Sequence, residues 1–379
     1  MKLIDVCELI VDCPHSTAKD EGQGIPLVRT PNIGKGRLEL SDVHRVSEAV
    51  YNQRIERAVP QAGDLILARE APVGNVALIM SGQKVCLGQR VVLIRPDKEK
   101  ADPAYLTYYL LSEEVQHRLK NNANGAVVAH LNMNEIRNLV IELPEISIQK
   151  RIASVLSSLD DKIALNNRIN HNLEEQAQAL YKSWFVDFEP FKGGKFVDSE
   201  LGMIPEGWHV GTLSELLEVR YGKDHKALKD GSTPVFGSGG LMRYAERALY
   251  NGESVLIPRK GTLNNVMYFN GPFWTVDTMF YTVERSSNVI KYCHLFLLTQ
   301  DLASMNAGSA VPSMTTDILN NLPLLIPSSQ VLEAFNRVLS SIYEARSQRE
   351  EESNSLSQSR DTILPQLMSG ALTNTLLTC

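Results

Sequence analysis

Residues 152–184 read IASVLSSLDDKIALNNRINHNLEEQAQALYKSW, and apolar residues recur in this stretch at alternating steps of four and three. One row of the repeat holds Ile152, Leu159, Asn166, Leu173 and Leu180, and the other holds Leu156, Ile163, Asn170, Ala177 and Trp184. This spacing is typical of a long helix that packs along a partner helix. We expect the two asparagines at the centre to fix register and partner choice at some cost in stability.

A second stretch near the end of the chain repeats the pattern in the same register. Its rows are Phe335, Ile342, Arg349, Leu356 and Ile363, and Leu339, Arg346, Ser353, Arg360 and Leu367. The first helix leads from one globular part into another, and the second helix follows that second part. If the two helices pack together, they must therefore be antiparallel. About 40 residues at about 1.5 Å each give a rod of about 60 Å.

The helices belong to a larger internal repeat. A shift of 183 residues aligns residues 125–163 with 308–346 and gives nine identical pairs, among them Gly125 with Gly308 and the Val-Leu-Ser-Ser segments at 155–158 and 338–341. Upstream, residues 65–75 align with 255–265 at a shift of 190, which pairs Arg69 with Arg259. Two copies that share a scaffold and differ in loops suit one type of task with two specificities.

Each copy begins with a globular head that is rich in short β-like runs. We predict strands at 64–68, 76–80 and 90–94, with counterparts at 254–257, 266–269 and 279–283, and helices at 104–119 and 289–303. The predicted fold class is α+β: two globular α/β domains separated by two long antiparallel coiled-coil helices, in a pseudo-twofold internal repeat. The predicted boundaries are 1–146 for the first head, 147–190 for the first helix, 191–328 for a linker and the second head, 329–370 for the second helix, and 371–379 for a tail.

Two similar heads on a rigid spacer suit a long ligand that presents two sites, and duplex DNA is such a ligand. Loop side chains that can contact bases and phosphates occur in both heads. The candidates are His15, Ser16, Arg29, Asn32, Lys35, Arg69, Gln89 and Arg90 in the first head, and Arg220, Tyr221, Lys223, Lys226, Ser238, Arg259, Lys260, Asn264 and Asn265 in the second. For Arg69 and Arg259 a shared structural salt bridge is an equal alternative.

Composition limits how such binding could work. The chain has 379 residues and a formal net charge of −6, and residues 1–146 alone carry 17 basic and 19 acidic residues. Positive charge must therefore be concentrated on one face of each head. The five cysteines are scattered and are expected to be reduced thiols. The first residues, MKLIDVCELIVDCPH, lack the apolar core of a signal peptide, so we expect a soluble, cytoplasmic protein.

Several segments resemble one known family. They are Trp184-Phe-Val-Asp-Phe-Glu-Pro190 followed by Gly202-Met-Ile-Pro-Glu-Gly-Trp208, and Leu143-Pro144 with Gln149-Lys-Arg-Ile-Ala153. With the order head, helix, head, helix, they make the whole chain resemble the specificity subunit of type I restriction–modification enzymes. The second copy departs at Pro327-Ser-Ser-Gln330, where the glutamine follows the proline by three residues and not five.

The resemblance implies that each head is a target recognition domain that reads half of a bipartite site in double-stranded DNA. It also implies that the helices dock two modification (methyltransferase) subunits, and restriction (endonuclease/translocase) subunits if these exist. S-adenosylmethionine would bind to the modification subunits, and ATP and magnesium to a restriction subunit. The residues expected to pair the helices and dock subunits are Ile152, Leu156, Leu159, Ile163, Asn166, Asn170, Leu173, Leu180, Trp184, Phe335, Leu339, Ile342, Arg349, Leu356, Ile363 and Leu367.

A search for catalytic motifs indicates a non-catalytic reader. Phe236-Gly-Ser-Gly-Gly240 is similar to a methyltransferase loop but is interpreted as a tight turn, and no phosphate-binding GxxxxGK[ST] motif occurs. Asp160 and Asp161 are adjacent carboxylates that we expect on the solvated face of the long helix. The histidines lack metal-ligand spacing. Two alternatives stay open: a coiled-coil scaffold or adaptor that binds protein and not DNA, and a hydrolase with a site built between the heads.

Overall fold

The computed structural model describes residues 1–70, 72–121, 130–306 and 313–371. The chain forms two compact units, residues 1–165 with 351–379 and residues 166–350. The aligned residues 125–129 and 308–312 lie outside the described part, as does Cys379.

The first head combines short strands with short helices. Its main sheet is five-stranded in the order β1-β8-β5-β6-β3, and a smaller sheet has the order β4-β2-β7. The strands are β1 Cys7–Asp12, β2 Ile25–Val28, β3 Gly36–Arg37, β4 Arg45–Val46, β5 Leu65–Ala68, β6 Val76–Leu78, β7 Cys86–Leu87 and β8 Val91–Pro96. The helices are α1 Glu48–Arg54, α2 Pro103–Leu111, α3 Glu113–Asn121 and α4 Met133–Arg137, with 3₁₀ turns at Leu3–Val6 and Thr30–Asn32. The strands predicted at 64–68, 76–80 and 90–94 are confirmed, and the helix predicted at 104–119 is divided between α2 and α3.

The first long helix, α5, runs from Ile146 to Phe185 over 40 residues. Its first turn is joined to the head by Gln149, whose side chain is 1% exposed. The Gln149 amide donates to the carbonyl oxygens of Pro144 at 2.8 Å and Lys100 at 3.0 Å, and its oxygen accepts from the Asp102 amide at 2.9 Å. The glutamine that follows Pro144 by five residues therefore fixes where the helix begins against the head.

The second head is built around a six-stranded sheet in the order β12-β17-β15-β16-β13-β14. The strands are β9 Phe196–Val197, β10 Ile204–Pro205, β11 His209–Thr212, β12 Leu217–Tyr221, β13 Thr233–Gly237, β14 Gly240–Ala245, β15 Tyr250–Pro258, β16 Met267–Thr275, β17 Met279–Glu284 and β18 Pro323–Ile326. The helices are α6 Leu213–Leu216, α7 Ile290–Leu298 and α8 Thr316–Asn320, and a 3₁₀ turn spans Glu189–Phe191. The second long helix, α9, spans Ser329–Met368 over 40 residues. All three strands predicted in this head are confirmed, and so is the tight turn, because Gly237 pairs with Gly240 across the β13–β14 hairpin.

The two heads share a four-stranded antiparallel core. The order β1-β8-β5-β6 in the first head corresponds to β12-β17-β15-β16 in the second. The registers match as well: Asp12 faces Val92 at the end of β1, and Tyr221 faces Phe280 at the end of β12. The repeat read from the sequence is therefore a repeat of topology and register.

Each unit contains contacts between α5 and α9. In the second unit, the Phe335 ring lies edge-on to Phe185 with 4.6 Å between centroids, and Asn170 donates to the Arg346 carbonyl at 3.3 Å. In the first unit, Leu367 is buried in the same apolar core as Ile152. None of the seam residues assigned to helix pairing is exposed.

No helix in the described ranges is long and apolar enough to cross a bilayer.

Asp160 does not lie on a solvated face, so that expectation is wrong for this residue. Its side chain is 7% exposed, accepts a hydrogen bond from the Tyr108 hydroxyl at 2.6 Å and pairs with Arg360 at 2.7 Å. Burial, with the neighbouring carboxylate, raises the pKa of Tyr108, so the phenol remains a donor. Asp161 is exposed as expected and pairs with Arg37 at 2.5 Å. Tertiary contacts from α2 and α9, which a helical pattern does not show, distinguish the two carboxylates.

Candidate nucleic-acid interface

In the first head, five ionisable side chains meet near the ends of β1 and β5 and the start of β8. We call Asp12, Arg69, Glu70, Arg90 and His130 the head-1 corner. Arg69 is 6% exposed, pairs with Asp12 at 2.6 Å and donates to the Leu131 carbonyl at 2.8 Å. Glu70 lies between Arg90 and His130, each at 2.9 Å. Each carboxylate thus orients at least one cationic group, and the corner holds acceptors and donors side by side.

Three further sequence candidates lie around this corner. The His15 ring nitrogen is 3.3 Å from Asp12. Gln89, next to Arg90, donates to the Thr17 hydroxyl at 2.8 Å, and Ser16 accepts from Arg54 at 3.1 Å. The structure therefore brings together His15, Ser16, Arg69, Gln89 and Arg90, which are far apart in the sequence.

The other candidates of the first head lie on the loop between β2 and β3. Asn32 is 5% exposed, accepts from the Arg29 amide at 3.1 Å and donates to the Glu39 carbonyl at 3.4 Å. Its side chain braces the loop. Arg29 is half-buried, and Lys35 is exposed. Of the three, Lys35 is the side chain best placed to meet a ligand.

The equivalent place in the second head has different chemistry. We call Tyr221, Arg259, Lys260, Thr278 and Ser313 the head-2 corner. The Arg259 guanidinium lies over the Tyr221 ring, 5.4 Å from its centroid. Tyr221 is 52% exposed, and Lys260, which directly follows Arg259 in the sequence, is also exposed. This corner therefore presents an aromatic ring and cationic groups without a carboxylate among its members.

Matching backbone hydrogen bonds show that the corners are equivalent. The Arg69 amide donates to the Arg90 carbonyl at 3.0 Å, and the Arg259 amide donates to the Thr278 carbonyl at 2.8 Å. A second pair of hydrogen bonds also matches, since the amides of Leu131 and Met314 donate to the carbonyls of Arg69 and Arg259. These bonds, with the ladder registers, make Asp12 equivalent to Tyr221, Glu70 to Lys260 and His130 to Ser313.

The repeated arginine therefore has a shared structural position with two different supports. Arg69 forms a salt bridge with Asp12, whereas Arg259 stacks on Tyr221 at the same ladder position. Among the described residues, the salt bridge forms at Arg69 and not at Arg259, so the shared salt bridge that the sequence left open is not found there. Both arginines are instead held against the end of the edge strand, β1 or β12.

Two asparagines of the second head brace loops. Asn265 donates to the Ser238 carbonyl at 2.8 Å, and its repeat equivalent Asn75 donates to the Ile33 carbonyl at 2.9 Å. Asn264 donates to Asp301 at 3.2 Å and accepts from the Ala303 amide at 2.8 Å. Their amides are thus occupied, whereas the half-buried Ser238 hydroxyl lies against Gly261, directly after Lys260.

The remaining candidates of the second head lie near the end of β12 or after it. Arg220 pairs with Glu218 at 2.8 Å, and this hydrogen bond holds the pKa of the Glu218 carboxyl below its ordinary value. Lys223 and Lys226 are exposed. The backbone here is tightly fixed, because a Cβ at Gly222 would lie 2.0 Å from the Val276 carbonyl oxygen. The basic side chains after β12 therefore leave the sheet from a constrained turn.

Sequence reasoning missed Asp12, Glu70 and His130, which complete the head-1 corner. The available signal was positional: Glu70 follows the repeated Arg69, and the alignment places it over Lys260 with the opposite charge. The shift of 183 residues aligns His130 with Ser313.

Within the described ranges, no group of three or more His, Cys, Asp or Glu side chains could hold a metal ion. The described cysteines are free, and Cys13, Cys86 and Cys293 are buried. Burial raises the pKa of the half-buried Cys7 to about 12. Such thiols are poor nucleophiles at neutral pH.

Comparison with known proteins places these corners in context. A family model described as type I restriction modification DNA specificity domain matches residues 1–175 and 205–354. The type I restriction enzyme MjaIX specificity subunit of Methanocaldococcus jannaschii is 27% identical over 98% of this chain and 92% of its own length. The HindI specificity subunit of Haemophilus influenzae is 21% identical over 82% of this chain and 86% of its own length.

A solved structure gives the same fold. The type I restriction–modification S subunit from M. genitalium is similar with a TM-score of 0.60 and 16% identity, covering 97% of this chain and 95% of that chain. The two family matches cover the first head with most of α5, and the second head with the first part of α9. This chain therefore belongs to the type I restriction modification DNA specificity family.

Proposed function

We propose that this chain is the non-catalytic specificity subunit of a type I restriction–modification complex and reads a bipartite target in double-stranded DNA, one half-site per head. The observation that carries the proposal is the pair of equivalent corners. A common four-stranded core presents Asp12, Glu70 and His130 in one head and Tyr221, Lys260 and Ser313 in the other. Two readers with the same frame and different side chains suit two half-sites of different sequence.

In this proposal the first head extends over residues 1–146 and the second over 191–328, with the linker. The side chains proposed to meet DNA are candidates that remain accessible: His15, Ser16, Lys35, Gln89 and Arg90 in the first head, and Arg220, Tyr221, Lys223, Lys226, Ser238 and Lys260 in the second. Arg69, Arg259, Asn32, Asn264 and Asn265 act by holding the reading surface. Phosphate contacts of Lys35, Lys223 and Lys226 would position the duplex, and contacts of the other side chains with base edges would select the sequence.

The regions 147–190 and 329–370 are proposed to form an antiparallel coiled coil that sets the spacing of the half-sites, followed by a tail from 371 to 379. Support comes from contacts in each unit, such as Trp184 with Phe335 at 5.3 Å and Asp160 with Arg360 at 2.7 Å. Buried polar residues in the seam, such as Asn170 at 9% exposure, fix register in coiled coils.

We propose that two modification (methyltransferase) subunits dock on the outer faces of these helices, and restriction (endonuclease/translocase) subunits where a system has them. The seam residues are covered in this chain, so they serve helix pairing. Apolar side chains left exposed on the helices, Leu165 at 40% and Val338 at 44%, suit docking better. S-adenosylmethionine would be held by the modification subunits, and ATP with magnesium by a restriction subunit.

DNA binding by the purified full chain tests the reading function. Its affinity for duplexes that carry the methylated target is expected to fall steeply as salt rises, because phosphate contacts release counterions. A matched duplex with one half-site scrambled should bind more weakly. Binding that ignores both salt and sequence would favour a protein-binding scaffold, and conversion of a substrate by the chain alone would favour a hydrolase.

The spacer role has its own test. Insertion of two helical turns into α5 beside Asn167, with a compensating insertion in α9, should lengthen the spacer of the methylated site. An unchanged spacer would contradict the role of the helices as a ruler. For docking, Leu165→Glu in α5 and Val338→Glu in α9 should release modification subunits on a sizing column, whereas Lys182→Glu, a substitution at an exposed position of α5, should not.

A further inference from the structure

The two corners carry opposite charges at one equivalent backbone position. Glu70 directly follows Arg69 at the end of β5, and Lys260 directly follows Arg259 at the end of β15. The backbone amides of both arginines form equivalent hydrogen bonds. Each donates to the carbonyl oxygen of the residue that precedes the neighbouring strand, Arg90 or Thr278. Residues 70 and 260 therefore occupy equivalent backbone positions, and they differ in their side chains.

The side chains also differ in their hydrogen-bonding capacity. A carboxylate only accepts hydrogen bonds, and an ammonium group only donates them. In the major groove, cytosine offers its N4 amino group as a donor, while guanine offers O6 and N7 as acceptors. A reversal from acceptor to donor at one position is therefore the change expected between two heads that read opposite members of a G·C pair.

The surroundings of Glu70 suit base reading more than phosphate contact. Its side chain is 18% exposed and is held by Arg90 and His130, each at 2.9 Å. A carboxylate repels phosphate, but one that is oriented by two neighbours can accept a hydrogen bond from a base edge in a fixed direction. Arg90 is 59% exposed at its side chain and can neutralise the backbone nearby.

Lys260 is exposed, and among the described residues nothing accepts a hydrogen bond from its ammonium group. Its backbone is fixed on both sides, by the Thr278 carbonyl at 3.2 Å and by a bridge to Ser313. An exposed lysine on a fixed backbone, beside the exposed Tyr221 ring, is available to a ligand without loss of an internal partner.

We propose that positions 70 and 260 are the equivalent specificity-determining residues of the two heads. Glu70 reads a cytosine through its N4 amino group in the first half-site, and Lys260 reads a guanine through O6 and N7 in the second. The inference rests on the proposed function and deepens it by assigning a base to each position.

The test maps methylated adenines in the source strain when the full chain carries single substitutions. Lys260→Glu should reduce methylation of sites with guanine at one position of the second half-site by about 10- to 100-fold relative to other bases, and should leave the first half-site unchanged. Glu70→Gln, which suits adenine, should shift one cytosine of the first half-site toward adenine. The control Lys195→Glu makes the same charge change in the linker and should alter neither half-site.

Salt titrations of the purified full chain separate base reading from phosphate contact. Lys260→Ala should lose discrimination at one base pair and keep most of the salt slope. A uniform loss for all sequences with a slope reduced by about one would make Lys260 a phosphate contact and overturn the assignment. Unchanged half-sites in both Lys260→Glu and Glu70→Gln would also overturn it, while a bipartite wild-type pattern would leave the proposed function standing. Circular dichroism of each variant checks that it folds. If Lys260→Glu does not fold, Lys260→Gln replaces it as the more conservative substitution.

Discussion

Replacement of Asp160 by alanine should weaken the contact between the first head and the long helices. The carboxylate is 7% exposed and joins Tyr108 of α2 to Arg360 of α9, at 2.6 and 2.7 Å. Loss of one partner from a buried pair costs about 3–5 kcal/mol. Arg360 keeps Asp361 at 2.8 Å and is 19% exposed, so the lower end applies. We expect about 3 kcal/mol, or roughly a 100-fold increase in the local opening constant.

Hydrogen exchange of peptides from α2 and from the first half of α5 measures this change. Tryptophan fluorescence is less suitable, because Trp184, Trp208 and Trp274 all belong to the second unit. Asp161→Ala is the matched control: that side chain is 63% exposed, so its loss should cost under about 1 kcal/mol. Equal protection from exchange in the Asp160 and Asp161 variants would refute the stabilising role of the buried Asp160 contacts.

Two further changes test the second unit. Burial, with the Arg346 cation nearby, lowers the pKa of His294 to about 3, so between pH 6.5 and 3 the unfolded chain binds a proton that the folded chain does not. The free energy of unfolding should then fall by about 1.4 kcal/mol per pH unit on acidification. His294→Gln should remove this pH dependence, measured by urea unfolding followed by tryptophan fluorescence. An unchanged pH dependence in the variant would contradict the prediction. Asn265→Ala should lower the free energy of unfolding by about 1 kcal/mol, because the Ser238 carbonyl loses its hydrogen bond. Hydrogen exchange in the β13–β14 hairpin should become faster, and unchanged exchange would count against the bracing role of Asn265.

The elements that follow a local pattern could be read from the sequence. Heptad spacing predicts both long helices, and α5 ends at Phe185, five residues before the expected boundary. Phe188, three residues further on, adopts a left-handed conformation with φ of 53°. Alternating apolar runs predict the central strands of both heads. A proline at position 365 lies within α9 and does not mark its end.

The candidate site was less accessible to sequence reasoning, because side-chain function there depends on neighbours distant in the chain. Asn32 and Asn265 are of a residue type that reads bases, yet their side-chain amides donate hydrogen bonds to backbone carbonyls of loops. Glu70 has the wrong sign for a phosphate contact, so a search for basic and amide side chains passes over it. The alignment pairs Glu70 with Lys260, and the common register of β5 and β15 shows that they occupy equivalent places in the fold.

Exchange of one head is the most direct test of the central claim. Residues 1–143 would be replaced by the corresponding head of a relative that keeps a hydroxyl partner for Asp160 at the position of Tyr108, and methylated adenines would be mapped across the genome. The first half-site is expected to change to that of the relative, while the second half-site and the spacer length remain. Methylation at the original sites, or simultaneous change of both half-sites, would contradict it.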